Sequence, residues 1–433
     1  MGPKLEANQR WEERMSEAKP FEISKREVWH AFKKVKRNKG AAGVDGQTIA
    51  GYEEELKDNL YKLWNRMSSG SYFPPAVRVV EMPKDTGGTR KLGISNVADR
   101  IAQTVATSRL VALLDPLFHP DSYAYQAGKS ALDAVAKARQ RCWENDWVID
   151  LDIKGFFDTI DWELLLRAVN KHVKEKWLIL YIERWLKAPE QDAQGAVHER
   201  VRGSPQGGVV SPVLANLFLH YAFDMWMRRE YPQVQFERYA DDVIVHCKTQ
   251  AQAREVLAAI DARMRECKLE LHPEKTKIVY CKDANRKGAY PIEKFTFLGY
   301  EFRQRRAKTR VGTYFMGFSP AIAPTARQAV REEIRAWKLH LRSDLALEEL
   351  SQHYNPVIRG WLQYYARFNR VELYRTLSPL NYALARWACR KFKKLRRHNR
   401  KASRWIARVS RREFKLFAHW EMVSRRGSMM GAV

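Results

Sequence analysis

Residues 23–40 (ISKREVWHAFKKVKRNKG) read as a helix that Gly40 ends, followed by the loop AAGVDG. The segment 76–82 (AVRVVEM) alternates apolar and polar positions like a strand. Asp85-Thr-Gly-Gly-Thr supplies a turn and RKLGI returns, so 76–94 is predicted as a hairpin. Residues 97–114 read as helix, 147–153 (WVIDLDI) as strand, and 161–187 as largely helical. The stretch 211–230 (SPVLANLFLHYAFDMWMRRE) predicts one apolar helix with a Ser-Pro start. YADDVIVHC predicts a hairpin with two aspartates near its turn, 249–267 an amphipathic helix, and 295–302 (FTFLGYEF) another strand. Beyond about residue 320 every segment reads as helix. Mixed strands and helices followed by an all-helical region predict an α+β domain and a helical one.

Composition narrows this picture. The 433 residues suggest two or three domains, and 45% hydrophobic content marks a globular chain. There is no internal repeat or low-complexity linker. No run of eighteen apolar residues appears and the first twenty residues lack an apolar segment, so neither a membrane span nor a secretory signal is expected. The five cysteines are scattered singly, which fits a reducing cytoplasm rather than a disulfide or zinc framework.

The net charge of +27 is unevenly placed. Residues 303–433 hold 30 Lys and Arg against 8 Asp and Glu, while the 302 before them hold 47 against 42. An excess so lopsided calls for a polyanion, with nucleic acid ahead of an anionic membrane surface. A solvated lysine surface is the plainer reading. Arginine dominates here, however, interleaved with Trp, Tyr and Phe, and that mixture suits phosphates and bases.

Adjacent carboxylates at Asp241 and Asp242, beside Val-Ile-Val, repel each other unless a divalent cation neutralises them. A two-ion phosphoryl-transfer site needs a further carboxylate. VIDLDIKGFFDTIDW offers Asp150, Asp152, Asp158 and Asp161, and strand spacing alone does not choose between Asp150 and Asp152. An Asp pair by itself is more often a turn or a helix cap. A third element, GSPQGGVVSPVLAN (203–216), adds a Gly-rich loop that lets backbone approach a ligand, with Gln206 supplying an amide.

Together these segments resemble the group II intron-encoded reverse transcriptase/maturase family, along nearly the whole chain and in order. NKGAAGVDG (38–46) resembles its N-terminal motif and MPKDTGGTRKLGISNVADR (82–100) its fingers hairpin. IDLDIKGFFD, GSPQGGVVSPVLANL and YADD resemble polymerase motifs A, B and C; LHPEKTK (271–277) and FTFLGY resemble D and E. YNPVIRGWLQYY (354–365) resembles the maturase, or X, domain that serves as the thumb. The resemblance implies a right-hand polymerase: fingers and palm with an antiparallel palm sheet in 1–302 (N-terminal motif about 23–46), and a helical thumb/X domain in 303–433.

The resemblance further implies Asp152, Asp241 and Asp242 as ligands of two Mg2+ ions, with Mn2+ as a substitute. Phe157 resembles the steric gate that selects dNTPs; its plainer reading is a core aromatic beside Phe156. Lys84 and Arg90 resemble the triphosphate contacts, and Gln206 and Gly207 the residues that shape the dNTP pocket. Lys275 resembles the proton donor to pyrophosphate, with Lys277 a near neighbour. In the helical region Arg359, Trp361, Tyr364 and Tyr365 do not all fit one helix face, so Trp361 is expected inside and Arg359 toward nucleic acid. The segment 386–415 holds 14 basic residues and one acidic, and reads as a nucleic-acid grip through Arg386, Arg390, Lys391, Lys394 and Arg397. Removing 386–433 is expected to lower template affinity more than turnover.

Two places depart from the family pattern. SYAYQAGKSALDAV (122–135) carries Gln126 and Ala127 where Arg and Pro are common, and Ser95 stands where Pro is usual. The Cys-paired endonuclease of many relatives is not in this sequence. The implied partners are an RNA template, a DNA or RNA primer, intron RNA in a ribonucleoprotein, and target DNA, in the cytoplasm or on the nucleoid, with no membrane. The expected role is splicing and retrohoming of an intron. A stand-alone enzyme of DNA repair or phage defence is a second reading, and a splicing factor without polymerase activity a third, which the intact carboxylates oppose.

Overall fold

The computed structural model describes residues 19–83, 89–308 and 312–422. The chain divides into two compact units. The first takes in the chain up to residue 130 with 151–245 and 251–277. The second takes in 131–150, 246–250 and the chain from 278 on. Among the described residues the strands are β1 (Val77–Pro83), β2 (Thr89–Ile94), β3 (Trp147–Leu151), β4 (Glu190–Gln191), β5 (Val197–His198), β6 (Gln235–Tyr239), β7 (Asp242–Cys247), β8 (Lys277–Tyr280), β9 (Lys294–Phe297), β10 (Tyr300–Lys308) and β11 (Tyr314–Ile322). They form three sheets, in the orders β2-β1-β4-β5, β6-β7-β3-β8 and β11-β10-β9.

In the first unit, β1 and β2 pair antiparallel with Arg78 opposite Ile94 and Pro83 opposite Thr89, as the alternation of 76–94 predicts. The helix Lys25–Asn38 starts on a capping box, in which Ser24 and Glu27 satisfy each other's backbone N–H groups. Its buried stripe is Val28, Ala31, Phe32 and Val35, at helical spacing. The helix Val97–Leu114 is buried on most sides. Asp99 on it is enclosed and accepts hydrogen bonds from Tyr72 Oη (2.7 Å), Trp185 Nε1 (2.8 Å) and Gln103 Nε2 (2.8 Å).

The apolar stretch 211–230 is not one regular α-helix. Ser211–Leu219 and Met225–Glu230 are α-helical, and a π turn, His220–Asp224, joins them. The polar residues inside it, Asn216, His220 and Asp224, recur every four positions, which fits a regular helix and carries no signal that one turn is wider.

In the second unit, FTFLGYEF is a hairpin rather than a single strand. Phe297 pairs with Tyr300 across Leu298 (φ +49°) and Gly299 (φ +76°), the positive dihedrals of a two-residue turn. The region just past 302 continues as β10 and β11, so the all-helical part begins only at Pro324. Its helices Pro324–Ala336, Leu347–Tyr365, Arg370–Lys391 and Asn399–Arg412 enclose a core that includes Ile334, Leu350, Leu377, Leu384, Trp387 and Phe417. No helix among the described residues is long and apolar enough to cross a membrane.

Candidate active site

Asp241 sits in the two-residue turn between β6 and β7, after Ala240 and before Asp242, the first residue of β7. Burial pushes the Asp241 carboxyl above its ordinary range, and the negative charge of Asp152 pushes the same way. Arg90 and Arg238 pull against them. Asp152 follows the last residue of β3 and is held by its backbone. Its carbonyl accepts from His272 N (2.8 Å), and its N–H donates to Thr276 Oγ1 (3.3 Å). The segment LHPEKTK therefore contributes a clasp on Asp152 as well as Lys275, whose ammonium lies 3.4 Å from Asp152 Oδ2. Both partners of that ion pair are about half exposed, so it stabilises the fold little.

Asp161 and Asp158 have other places. Asp161 caps the helix Trp162–His172 by accepting from Leu164 N, and pairs with Lys268 at 2.8 Å. Asp158 is exposed. Among the described residues no three His, Cys, Asp or Glu side chains converge as a metal-binding group. The donor set nonetheless suits a hard divalent ion: burial and the charge of Asp152 disfavour ionised Asp241, a penalty that a bound cation would relieve. Magnesium characteristically takes only one or two protein carboxylates and fills its shell with water and substrate phosphates.

The Gly-rich loop is docked on the β1–β2 hairpin. Arg90 Nε donates to Gln206 Oε1 (2.6 Å), and Gly93 N donates to the Gln206 carbonyl (2.6 Å). Gly207 has φ +106°, and a Cβ there would lie 2.6 Å from the Gly93 carbonyl oxygen and 3.0 Å from the Leu92 side chain. Only glycine fits both the dihedral and the space. Arg90, Gln206 and Gly207 are thus brought together, whereas Lys84 lies outside the described residues.

Of the two motif A rings, Phe156 is the core residue. It packs against Phe218 (6.3 Å) and meets Phe157 edge-on (5.4 Å). Phe157 is also buried, and its carbonyl accepts from Ser204 N (2.7 Å), which ties motif A to the Gly-rich loop. In the departing segment, Gln126 Nε2 donates to the Ser122 carbonyl (2.9 Å). Lys129 Nζ reaches the carbonyls of His119 (3.2 Å), Pro120 (2.9 Å) and Ser122 (2.7 Å), so the substituted Gln126 and the retained Lys129 both serve the loop itself.

In the second unit Arg359 is exposed and Trp361 half-buried, stacked on Trp337 at 5.5 Å. Tyr364 Oη donates to the Leu298 carbonyl (2.8 Å), so the maturase-like helix packs on the FTFLGY hairpin. Arg386, Arg390, Lys394 and Arg397 are exposed. Lys391 is exposed too, but its ammonium is committed to the carbonyls of Ser343 (2.8 Å) and Asp344 (3.3 Å). Sequence reasoning missed Thr276, His272 and Arg238. The signal for Arg238 was present as a charge inside a strand that leads into the Asp pair, three residues before Asp241.

A family model described as reverse transcriptase (RNA-dependent DNA polymerase) matches residues 82–302. One described as group II intron, maturase-specific domain matches residues 327–405. Protein YkfC of Escherichia coli is 29% identical over 318 residues, which is 63% of this chain and 78% of that protein. Group II intron-encoded protein LtrA of Lactococcus lactis is 30% identical over 193 residues, 44% of this chain and 32% of LtrA. A structure of telomerase from Candida albicans with a fragment of telomeric RNA aligns with a TM-score of 0.45 at 11% identity, over 87% of this chain and 68% of that one. The first family model spans just over half the chain, and Asp152, Asp241, Arg90 and the Gly-rich loop all fall within it: the protein belongs to the reverse transcriptase (RNA-dependent DNA polymerase) family and carries a group II intron maturase-specific domain.

Proposed function

We propose that this protein extends a primer on an RNA template with deoxynucleotides, in the splicing and retrohoming of a group II intron. Residues 1–302 act as fingers and palm and 303–433 as thumb and maturase domain. The observation that carries the reading is the opposed pair Asp152 and Asp241, with Arg90 near Asp241 and bonded to the Gly-rich loop at Gln206. Asp152, Asp241 and Asp242 would hold two Mg2+ ions, for which Mn2+ can substitute. When bound, such ions acidify the attacking hydroxyl and neutralise the leaving pyrophosphate.

The primer O3′–Pα bond forms as the bond from Pα to the bridging oxygen breaks. Arg90 and Lys84 grip the triphosphate, and the backbone at Gln206 and Gly207 bounds the nucleotide. Phe157 closes the space that a ribose 2′-hydroxyl would need. Lys275, released from Asp152, supplies a proton to the pyrophosphate oxygen. Intron RNA and target DNA are the proposed partners, met in the cytoplasm or on the nucleoid.

Primer extension on poly(rA) with oligo(dT), dTTP and Mg2+ tests the reading, with template binding measured in parallel. Wild type is expected to extend, Asp241→Ala to bind without extending, and Phe157→Ala to accept UTP more readily than wild type. If neither wild type nor Asp241→Ala extends while both bind tightly, the polymerase reading fails.

A further inference from the structure

A wholly buried charge beside the candidate site is Arg238, on β6. Its side chain and that of Asp224 are wholly inaccessible to solvent. The guanidinium meets the Asp224 carboxylate through both prongs, Nε to Oδ1 at 2.7 Å and Nη2 to Oδ2 at 2.5 Å. Burial opposes the charge on Asp224, but Arg238 beside it holds the carboxyl below its ordinary range. The remaining prong, Nη1, donates to Asn216 Oδ1 (2.9 Å) and to the carbonyl of Ala240 (3.1 Å).

The π turn explains how one helix supplies two of these partners. In a regular α-helix, residues eight apart lie about 80° apart around the axis. A π turn absorbs one extra residue, so Asn216 and Asp224 behave like positions seven apart, about 20° from alignment. The wider turn turns both side chains toward Arg238. Asn216 Nδ2 meanwhile donates to the Ala124 carbonyl (2.7 Å), and the backbone of Arg238 bonds Asp121 and Tyr123 (2.9 Å each).

The other end of the clamp is the turn that presents Asp241. Ala240 has φ +56°, the left-handed region, which a Cβ disfavours and which two-residue hairpin turns normally fill with Gly, Asn or Asp. An alanine stays there only if its surroundings hold it. One contact that reaches its carbonyl is Arg238 Nη1 (3.1 Å).

We infer that Arg238, seated by the π turn through Asp224 and Asn216, is a positioning residue that holds the strained Ala240–Asp241 turn and so sets the affinity of the site for its divalent ion. The inference rests on Asp241 being a ligand, as proposed above.

Mn2+ binding to the full-length protein without substrates, followed by electron paramagnetic resonance, tests it. Arg238→Lys keeps the charge but loses the fork. It is expected to weaken Mn2+ binding about 10-fold, the usual scale for a group that orients a ligand, with template–primer affinity within about 2-fold of wild type. Adding Ala240→Gly, which removes the penalty at the turn, is expected to restore most of that loss; a core-packing role would not be rescued this way. If Arg238→Lys does not fold, Asn216→Ala takes its place with the same expected direction and a smaller shift. Unchanged Mn2+ binding in a folded clamp variant overturns the inference when Asp241→Ala in the same titration does weaken binding. If Asp241→Ala also leaves binding unchanged, the ligand assignment itself fails and the inference falls with it.

Discussion

Asp241 combines two conditions that a folding chain ordinarily avoids: a carboxylate largely removed from water, and a second carboxylate, Asp152, near enough to oppose its ionisation. Its folded-state pKa therefore lies above the unfolded value. A carboxyl raised in this way adds stability that is fully present below the unfolded pKa, near 4, and is lost as pH rises through the folded one. At neutral pH without metal the ionised group is a liability. Asp241→Asn in EDTA should melt about 2 °C above wild type at pH 7, and the gap should close as pH falls below about 4. Mg2+ should raise the melting temperature of wild type and leave the variant unmoved. Equal melting of the two proteins at pH 7 would count against the opposed pair. The adjacent anions alone did not single this residue out, since such a pair is more often a turn or a cap; the motifs around it, in family order, did. Asp152 was separable from Asp150 only by the family resemblance, since a strand places both on one face.

At the scale of elements, the sequence supports the existence of segments better than their internal turns. The alternation of 76–94 gives a true hairpin, and the stripe of 25–38 a true helix. FTFLGYEF failed as one strand because apolar residues continue straight through Leu298 and Gly299, so hydrophobicity does not mark the reversal. The π turn was invisible for a related reason: Asn216, His220 and Asp224 recur every four positions, as they would in a regular α-helix. Docking of the Gly-rich loop on the β1–β2 hairpin was partly legible, since Gly-Gly announces a close approach without naming the neighbour. That neighbour is the Gly93 carbonyl, 2.6 Å from where a Cβ on Gly207 would stand. Gly207→Ala must therefore push the loop off the hairpin and leave φ +106° at a cost of ~1–3 kcal/mol. The expected result in steady-state extension is a dNTP KM raised about 10-fold with template affinity unchanged. A variant with wild-type KM would show that the loop does not bound the nucleotide.

Across the whole molecule, the basic excess of 303–433 and the buried core of the second unit are built from the same helices. Removing 386–433, the obvious test from sequence, would take away Trp387, Ile406, Val409 and Phe417 from that core, so lost affinity could reflect lost folding. The structure separates the two contributions residue by residue. Arg386, Arg390, Lys394 and Arg397 are exposed, whereas Lys391 closes the carbonyls of Ser343 and Asp344 and belongs to the fold. Replacing the four exposed residues by Gln should leave the melting temperature within about 1 °C, because surface substitutions of this kind seldom exceed ~0.5 kcal/mol. If the four contact phosphates, each loss removes about 0.7–0.9 from the slope of log affinity against log salt. The slope should then flatten by about 3 units, with affinity falling most at low salt and turnover at saturating template nearly unchanged. The Lys391→Gln variant should behave the other way round, melting lower with little change in slope. A quadruple variant with an unaltered salt slope would place the nucleic-acid contacts on another face, and the charge of this segment would then be only a solvated surface.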